Sequence, residues 1–176
     1  MLRSVSDPTS APAGALYAGV RLYRDAALTV YVRRERAAMQ TFIKVRGFHI
    51  DVYQHVNNAR YLEFLEEARW EWLSALEGFQ WMKARQIAFI VVNININYRL
   101  PAVLGDLLQI DSRLERLNGR SGVVSQVVTR NGDAIADAAL TFVCIDLKTQ
   151  KALPLEGELM EKLRQLEQQD RDLPAG

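Results

Sequence analysis

The sequence predicts an α+β fold: an antiparallel sheet of five strands wrapped around one long central helix, with an amphipathic helix near the C-terminal end. Three observations carry this. Residues 59–78, ARYLEFLEEARWEWLSALEG, repeat apolar side chains at three- and four-residue steps, which is the period of a helix. Asn118-Gly119 and Asn131-Gly132 separate runs of alternating apolar and polar residues, and Asn-Gly between such runs signals a tight hairpin. A helix that is apolar around most of its circumference needs a sheet face to bury it.

The elements follow in chain order. QTFIKVRGF (40–48) sets Ile43 and Val45 on one face and Phe42, Lys44 and Arg46 on the other, the alternation of a strand. The polar stretch HIDVYQHVNN leads into the helix, which Asn57 or Asn58 can cap and Gly78 can end. Tyr61, Leu65, Ala68, Trp72 and Ala75 form the helix stripe, and Leu62, Phe64, Leu73 and Leu76 widen it. A narrow polar edge is left at Arg60, Glu63, Glu67, Glu71 and Ser74, so the helix is expected to be largely enclosed. FQWMKARQ is a short link with helical character. IAFIVVNININYRL is the second strand, closing with Asn93, Asn95 and Asn97 set against Ile94, Ile96 and Tyr98. Three further strands, separated by the two Asn-Gly turns, form a meander. Pro154 opens a last helix carrying Leu155, Leu159, Leu163 and Leu166 on one side.

A length of 176 residues suits one domain, expected over 39–176 and preceded by an extension at 1–38 that is read as poorly ordered. The extension holds six arginines against three acidic residues, with no apolar stretch long enough for a secretory signal. The remainder carries 16 basic and 18 acidic residues, which argues against nucleic acid as a partner. No apolar run approaches a membrane span. The lone cysteine, Cys144 in LTFVCI, reads as a core thiol, and its solitude fits a reducing compartment, so a cytoplasmic location is expected. The second face of the sheet carries branched apolar residues that point to a partner subunit.

Both histidines, His49 and His55, flank Asp51 in GFHIDVYQHVNN just ahead of the long helix. A metal site, an acid–base site and a helix cap all leave residues of this kind. No ligand set of the His-Glu-x-x-His or Cys/His type accompanies them, and neighbouring side chains in an extended stretch point apart, which disfavours a metal.

Asp51 followed by His55-Val56-Asn57-Asn58-Ala59-Arg60-Tyr61, with Glu66-Glu67-Ala68-Arg69 beyond, resembles the hotdog-fold thioesterases of the 4-hydroxybenzoyl-CoA thioesterase superfamily. A second signature is YRLPAVLGD (98–106). VVNININYR together with TFVCIDLKTQKAL is most similar to the FadM-type long-chain acyl-CoA thioesterases. The resemblance covers residues from about Met39 to the last helix. It implies a sheet wrapped around the helix, dimers joined edge to edge with sites at the seam, and association of dimers into tetramers. It implies no metal and no bound cofactor, with coenzyme A entering as part of an acyl-CoA substrate.

The chemistry suits the loop. Thioester hydrolysis needs an activated water or a carboxylate nucleophile and donors for the oxyanion. The thiolate, of pKa roughly 8.5 by analogy with cysteine, leaves without a strong acid. The resemblance makes Asp51 the catalytic carboxylate, as base or nucleophile. N–H groups near Asn57 and Asn58 at the helix start would polarise the thioester carbonyl. His55 anchors the loop or positions water, and His49 reads as structural. Glu66 is a second candidate carboxylate, with a surface ion pair to Arg69 as its plainer role. Arg120 and Lys148, with Lys151, are candidates for the coenzyme A phosphates. Trp70, Trp72 and Trp81 are either core residues or acyl-pocket walls. Two alternatives stay open: a dehydratase or hydratase on the same fold, and a non-catalytic acyl-CoA sensor or carrier.

Overall fold

In the computed structural model, residues 16–17, 20–21, 30–33 and 40–171 are described. Strand β4 (Gln40–Lys44) alternates as its sequence demands, burying Thr41 and Ile43. Val45 is buried after it, and the chain then leaves the sheet in a 3-10 turn, Gly47–His49. The predicted strand over 40–48 is therefore four residues too long at its end. Helix α1 (Asn58–Ser74) starts where Asn57 Oδ1 accepts the Ala59 N–H at 2.9 Å, an N-cap of the favoured kind.

Two expectations for this helix are corrected. Its inner face, formed by Tyr61, Phe64, Leu65, Ala68, Trp72 and Leu73, is buried, but Leu62 and Trp70 are exposed on the opposite side. The sheet covers one side of the helix, and on the other Phe79 meets Trp70 edge-on, ring centroids 5.9 Å apart. Nor does Gly78 end it: the helix stops at Ser74, Leu76 adopts an extended conformation, and Gly78 lies within α2 (Glu77–Ala84). A Cβ on Gly78 would stand 3.0 Å from Leu166 Cδ2, so the glycine admits a neighbouring helix.

The remaining elements are β5 (Ile87–Tyr98), β6 (Leu107–Leu117), β7 (Gly122–Arg130), β8 (Asp133–Asp146), β9 (Lys151–Leu153) and α3 (Gly157–Arg171). Asn131 and Gly132 both have positive φ, 53° and 91°, as a two-residue hairpin turn between β7 and β8 requires. The long strands run β4-β6-β7-β8-β5, antiparallel throughout. The sheet is larger than the five strands predicted. β9 pairs with the end of β8, and β1 (Leu16–Tyr17), β2 (Val20–Arg21) and β3 (Val30–Arg33) extend it beyond β4. These three short strands lie within the extension at 1–38, the rest of which falls outside the described residues. Short strands of two to four residues fall below the length at which alternation is visible in a sequence.

α1 and α3 share the inner face of the sheet. Around the first half of α1, Ile43, Leu65, Ile110, Val128, Ile135 and Leu140 form one core cluster. Around its second half, Trp72, Phe142, Cys144, Leu155, Leu159, Leu163 and Leu166 form another. Leu159, Leu163 and Leu166 are the buried stripe of α3, while Leu155 is buried ahead of it, because the last helix starts at Gly157 and not at Pro154. Burial pushes the Cys144 thiol up to about 12, consistent with an inert core position. The sheet has two ends that matter below. The near end holds the start of α1, the close of β5, the start of β6 and the β7–β8 turn. The far end holds the β6–β7 turn, the β8–β9 turn and the start of β5.

Candidate active site

The site loop is a small hairpin. Ile50 bridges to Val56, and Asp51 N–H donates to the His55 carbonyl at 2.9 Å, with Gln54 at positive φ (64°) completing the turn. Asp51 and His55 therefore meet at the base of the loop. Three bonds anchor it to the body. Val56 N–H donates to the Ala102 carbonyl (2.8 Å), Asn57 N–H donates to the His49 carbonyl (2.9 Å), and His49 Nδ1 accepts the Arg46 N–H (3.0 Å). His49 is buried against Phe48 and Phe64, with ring centroids at 4.2 and 4.8 Å. Burial, aided by the charges of Arg60 and Arg46, holds its pKa below the ordinary histidine value. His49 is a neutral anchor, whereas His55 is exposed.

Asp51, Tyr53, His55, Val56, Asn57 and Asn58 line one open depression of 540 Å³. Asp51 Oδ1 accepts the Tyr53 N–H at 2.9 Å, which fixes the carboxylate and leaves Oδ2 available. At the helix start the two expected donors separate. The Asn57 N–H is consumed by His49, so it is no oxyanion donor. The Asn58 N–H, at the first helical position, has no intrahelical partner and no acceptor among the described residues. It is backed by the positive end of the α1 dipole. A carboxylate held through one oxygen and an unpartnered helix N–H, on two residues that line one depression, can activate water and stabilise an oxyanion.

The other predicted residues fall elsewhere. Glu66 lies two turns along α1, where its carboxylate accepts the Trp70 Nε1–H at 3.4 Å. Arg69 does not pair with it: the guanidinium is buried and donates to Gln126 Oε1 at 3.0 Å. Gln126 in turn donates to Ser112 Oγ (2.7 Å) and to the Leu65 carbonyl (3.0 Å). Arg120 and Lys148 occupy turns at the far end, Lys151 opens β9 beside them, and all three are exposed. At about 3.3 Å rise per strand residue, the far end stands roughly 30 Å from Asp51. A single protomer does not bring them to the site. Trp72 is core, Trp81 donates to Glu158 at 3.0 Å beneath Arg85, and Trp70 is half-exposed. Among the described residues no three His, Cys, Asp or Glu side chains converge as a metal site. No helix among them is long and apolar enough to cross a membrane.

Two contributors escaped the sequence reading. Tyr53 supplies both a lining side chain and the N–H that fixes Asp51. Tyr98, from the close of β5, donates its hydroxyl to the Asn58 carbonyl at 3.1 Å.

Residues 45–163 match the family model described as the thioesterase-like superfamily. The chain belongs to the thioesterase-like superfamily. It is 71% identical over 130 residues to the long-chain acyl-CoA thioesterase FadM of Escherichia coli K12, covering 73% of this chain and 98% of that protein. Among solved structures, the probable thioesterase YbaW of E. coli superposes with a TM-score of 0.70 at 69% identity, covering 73% of this chain and 98% of its own. A thioesterase of Thermus thermophilus, solved with coenzyme A and Zn, superposes with a TM-score of 0.63 at 26% identity, covering 77% of this chain and 98% of that one. The hotdog fold implied by the resemblance is the fold observed, and the chain is a thioesterase of this family.

Proposed function

We propose that the protein hydrolyses long-chain acyl-CoA thioesters to free fatty acid and coenzyme A in the depression between Asp51 and the start of α1. The observation that carries this is that one depression is lined by Asp51 and by Asn58, whose N–H has no acceptor among the described residues. Identity of 71% to a long-chain acyl-CoA thioesterase supports the acyl chain class.

In the base mechanism, Asp51 Oδ2 takes a proton from water as the oxygen attacks the thioester carbon. The carbonyl oxygen becomes an oxyanion facing the Asn58 N–H. Collapse breaks the carbon–sulfur bond, and the thiolate leaves and is protonated. In the nucleophile mechanism, the carboxylate attacks first, the thiolate departs, and water hydrolyses the mixed anhydride. In labelled water under single-turnover conditions, label in Asp51 marks the nucleophile mechanism with water attacking the Asp51 carbon of the anhydride, and trapping of an acyl group on Asp51 marks it whichever carbon water attacks. His55, across the loop base from Asp51, lines the same depression, and in this reading it holds the attacking water.

The active form is proposed to be a dimer, or a tetramer of dimers. β5 pairs with β8 on one side, and its other edge is open among the described residues, with Ile90 and Val92 exposed. An open apolar edge calls for a covering strand. If two β5 strands pair antiparallel, the far end of one protomer lies beside the near end of the other. Neighbouring strands are about 4.8 Å apart, so Lys148 of the partner subunit then stands within two strands of the site, in reach of the coenzyme A phosphates. Arg120 of the partner subunit lies two strands further. Lys148→Ala should raise KM and leave kcat within about twofold. An unchanged KM removes Lys148 from the binding site.

A further inference from the structure

We propose that Tyr98 is a positioning residue for hydrolysis, its hydroxyl holding the first peptide groups of α1 so that the Asn58 N–H stays aimed into the Asp51 depression. The inference rests on the reading of that depression as the thioesterase site.

Every hydrogen-bonding group around the Asn58 N–H is held. The preceding N–H, of Asn57, is bonded to His49 (2.9 Å), and the Asn57 carbonyl accepts the Arg60 N–H (2.9 Å). The following N–H, of Ala59, is bonded to Asn57 Oδ1 (2.9 Å). The Asn58 carbonyl accepts the Tyr98 hydroxyl (3.1 Å). Two of these clamps lie within the helix start, and one comes from the 3-10 turn that carries His49. The fourth comes from the sheet.

The tyrosine is itself well supported. Its backbone pairs with Ala136 in β8. Its ring packs edge-on against Tyr61, centroids 5.3 Å apart at 68°. Tyr61 is buried and hydrogen-bonded to the Ala102 backbone, and the Ala102 carbonyl accepts the Val56 N–H that anchors the site loop. Tyr98 therefore ties the donor end of the site to the strand that carries it, while Ala102 ties the carboxylate loop to the same neighbourhood. A carbonyl has two lone pairs, so the hydroxyl adds to the helical bond at Asn58 without displacing it. A phenylalanine would keep the ring contact and lose the hydroxyl alone. Oxyanion donors act through preorganisation, and removing one costs about 10²–10³ in kcat. Loosening the support behind a donor should cost less, about tenfold.

The test compares the parent, Tyr98→Phe and Asp51→Asn as full-length chains, with a long-chain acyl-CoA and thiol release as the readout. For Tyr98→Phe the expected result is a kcat about tenfold lower, a KM within about twofold and an unchanged far-ultraviolet spectrum and melting temperature. A kcat within about twofold of the parent overturns the inference. A raised KM with unchanged kcat also overturns it, because Tyr98 would then bind substrate. So does a kcat loss that accompanies a lowered melting temperature, the mark of a merely structural role. If Asp51→Asn collapses while Tyr98→Phe stays active, the site reading stands and the positioning role alone falls. A parent without thiol release overturns both.

Discussion

Replacing Asp51 with asparagine separates chemistry from structure at a single position. The Asp51 backbone bonds, to His55 and Gln54, do not involve the side chain. Asparagine Oδ1 can still accept the Tyr53 N–H that Asp51 Oδ1 accepts at 2.9 Å. The volume is nearly unchanged, and the position is partly exposed. Stability should therefore shift by less than about 1 kcal/mol. An amide neither accepts a proton from water nor attacks as a carboxylate, so turnover should fall by ~10²–10⁴. At about 1.36 kcal/mol per decade, this is about 2.7–5.5 kcal/mol of transition-state stabilisation. The assay is thiol release at saturating acyl-CoA, on protein whose circular dichroism matches the parent. Turnover within about twofold of the parent would make Asp51 a loop residue and refute the mechanism. Glu66 would then be the next carboxylate to replace.

Four further outcomes follow from the geometry. His49 is held neutral by burial, with its folded pKa below the ordinary 6.5; the unfolded chain takes up the proton first, so the stability it contributes is complete above about pH 6.5 and declines as pH falls toward the folded value. Urea melts between about pH 7.5 and 5.5 should show this decline, and His49→Phe should flatten it; equal slopes would contradict the assignment. Gln126→Leu leaves the buried Arg69 without its acceptor and should destabilise by about 2–4 kcal/mol, with Arg69→Met added to it restoring much of the loss; a silent single variant would show that Arg69 finds another partner. Asn57→Ala removes the cap of α1 and should lower stability by about 1 kcal/mol, and an unchanged melting temperature would count against the cap. Deleting residues 1–38 should leave the domain folded and active, because the described core begins at Ile43; a large loss of solubility or melting temperature would show that the strands beyond β4 are required.

Much of the fold was legible because its signals are local. The Asn131-Gly132 turn, the Leu159-Leu163-Leu166 stripe and the three-and-four spacing of α1 each announce themselves within a short window. What was hidden depends on distant neighbours. Arg69 reads as a surface cation until Gln126, 57 residues away, is seen beneath it. Gly78 reads as a helix stop until Leu166 is seen against it. In the site, Asp51 and the capping asparagines were legible because loop and helix start are contiguous. Arg120 and Lys148 were placed by charge alone, and the strand directions put them at the opposite end of the sheet. Tyr98 entered the sequence reading only as the first residue of the YRLPAVLGD signature and as a continuation of the Ile94–Ile96 face of β5, neither of which marks a role in the site. Its role appears once β5 is known to close beside the start of α1.

The most direct test of the central claim is thiol release by the purified full-length protein across short-, medium- and long-chain acyl-CoAs. A depression lined by Asp51 and Asn58, in a chain 71% identical to a long-chain acyl-CoA thioesterase, predicts stoichiometric free thiol and fatty acid, with kcat/KM rising toward the long chains. Release no faster than the uncatalysed reaction for every chain length, from protein that binds acyl-CoA, would contradict it and leave the depression as a binding site without hydrolysis.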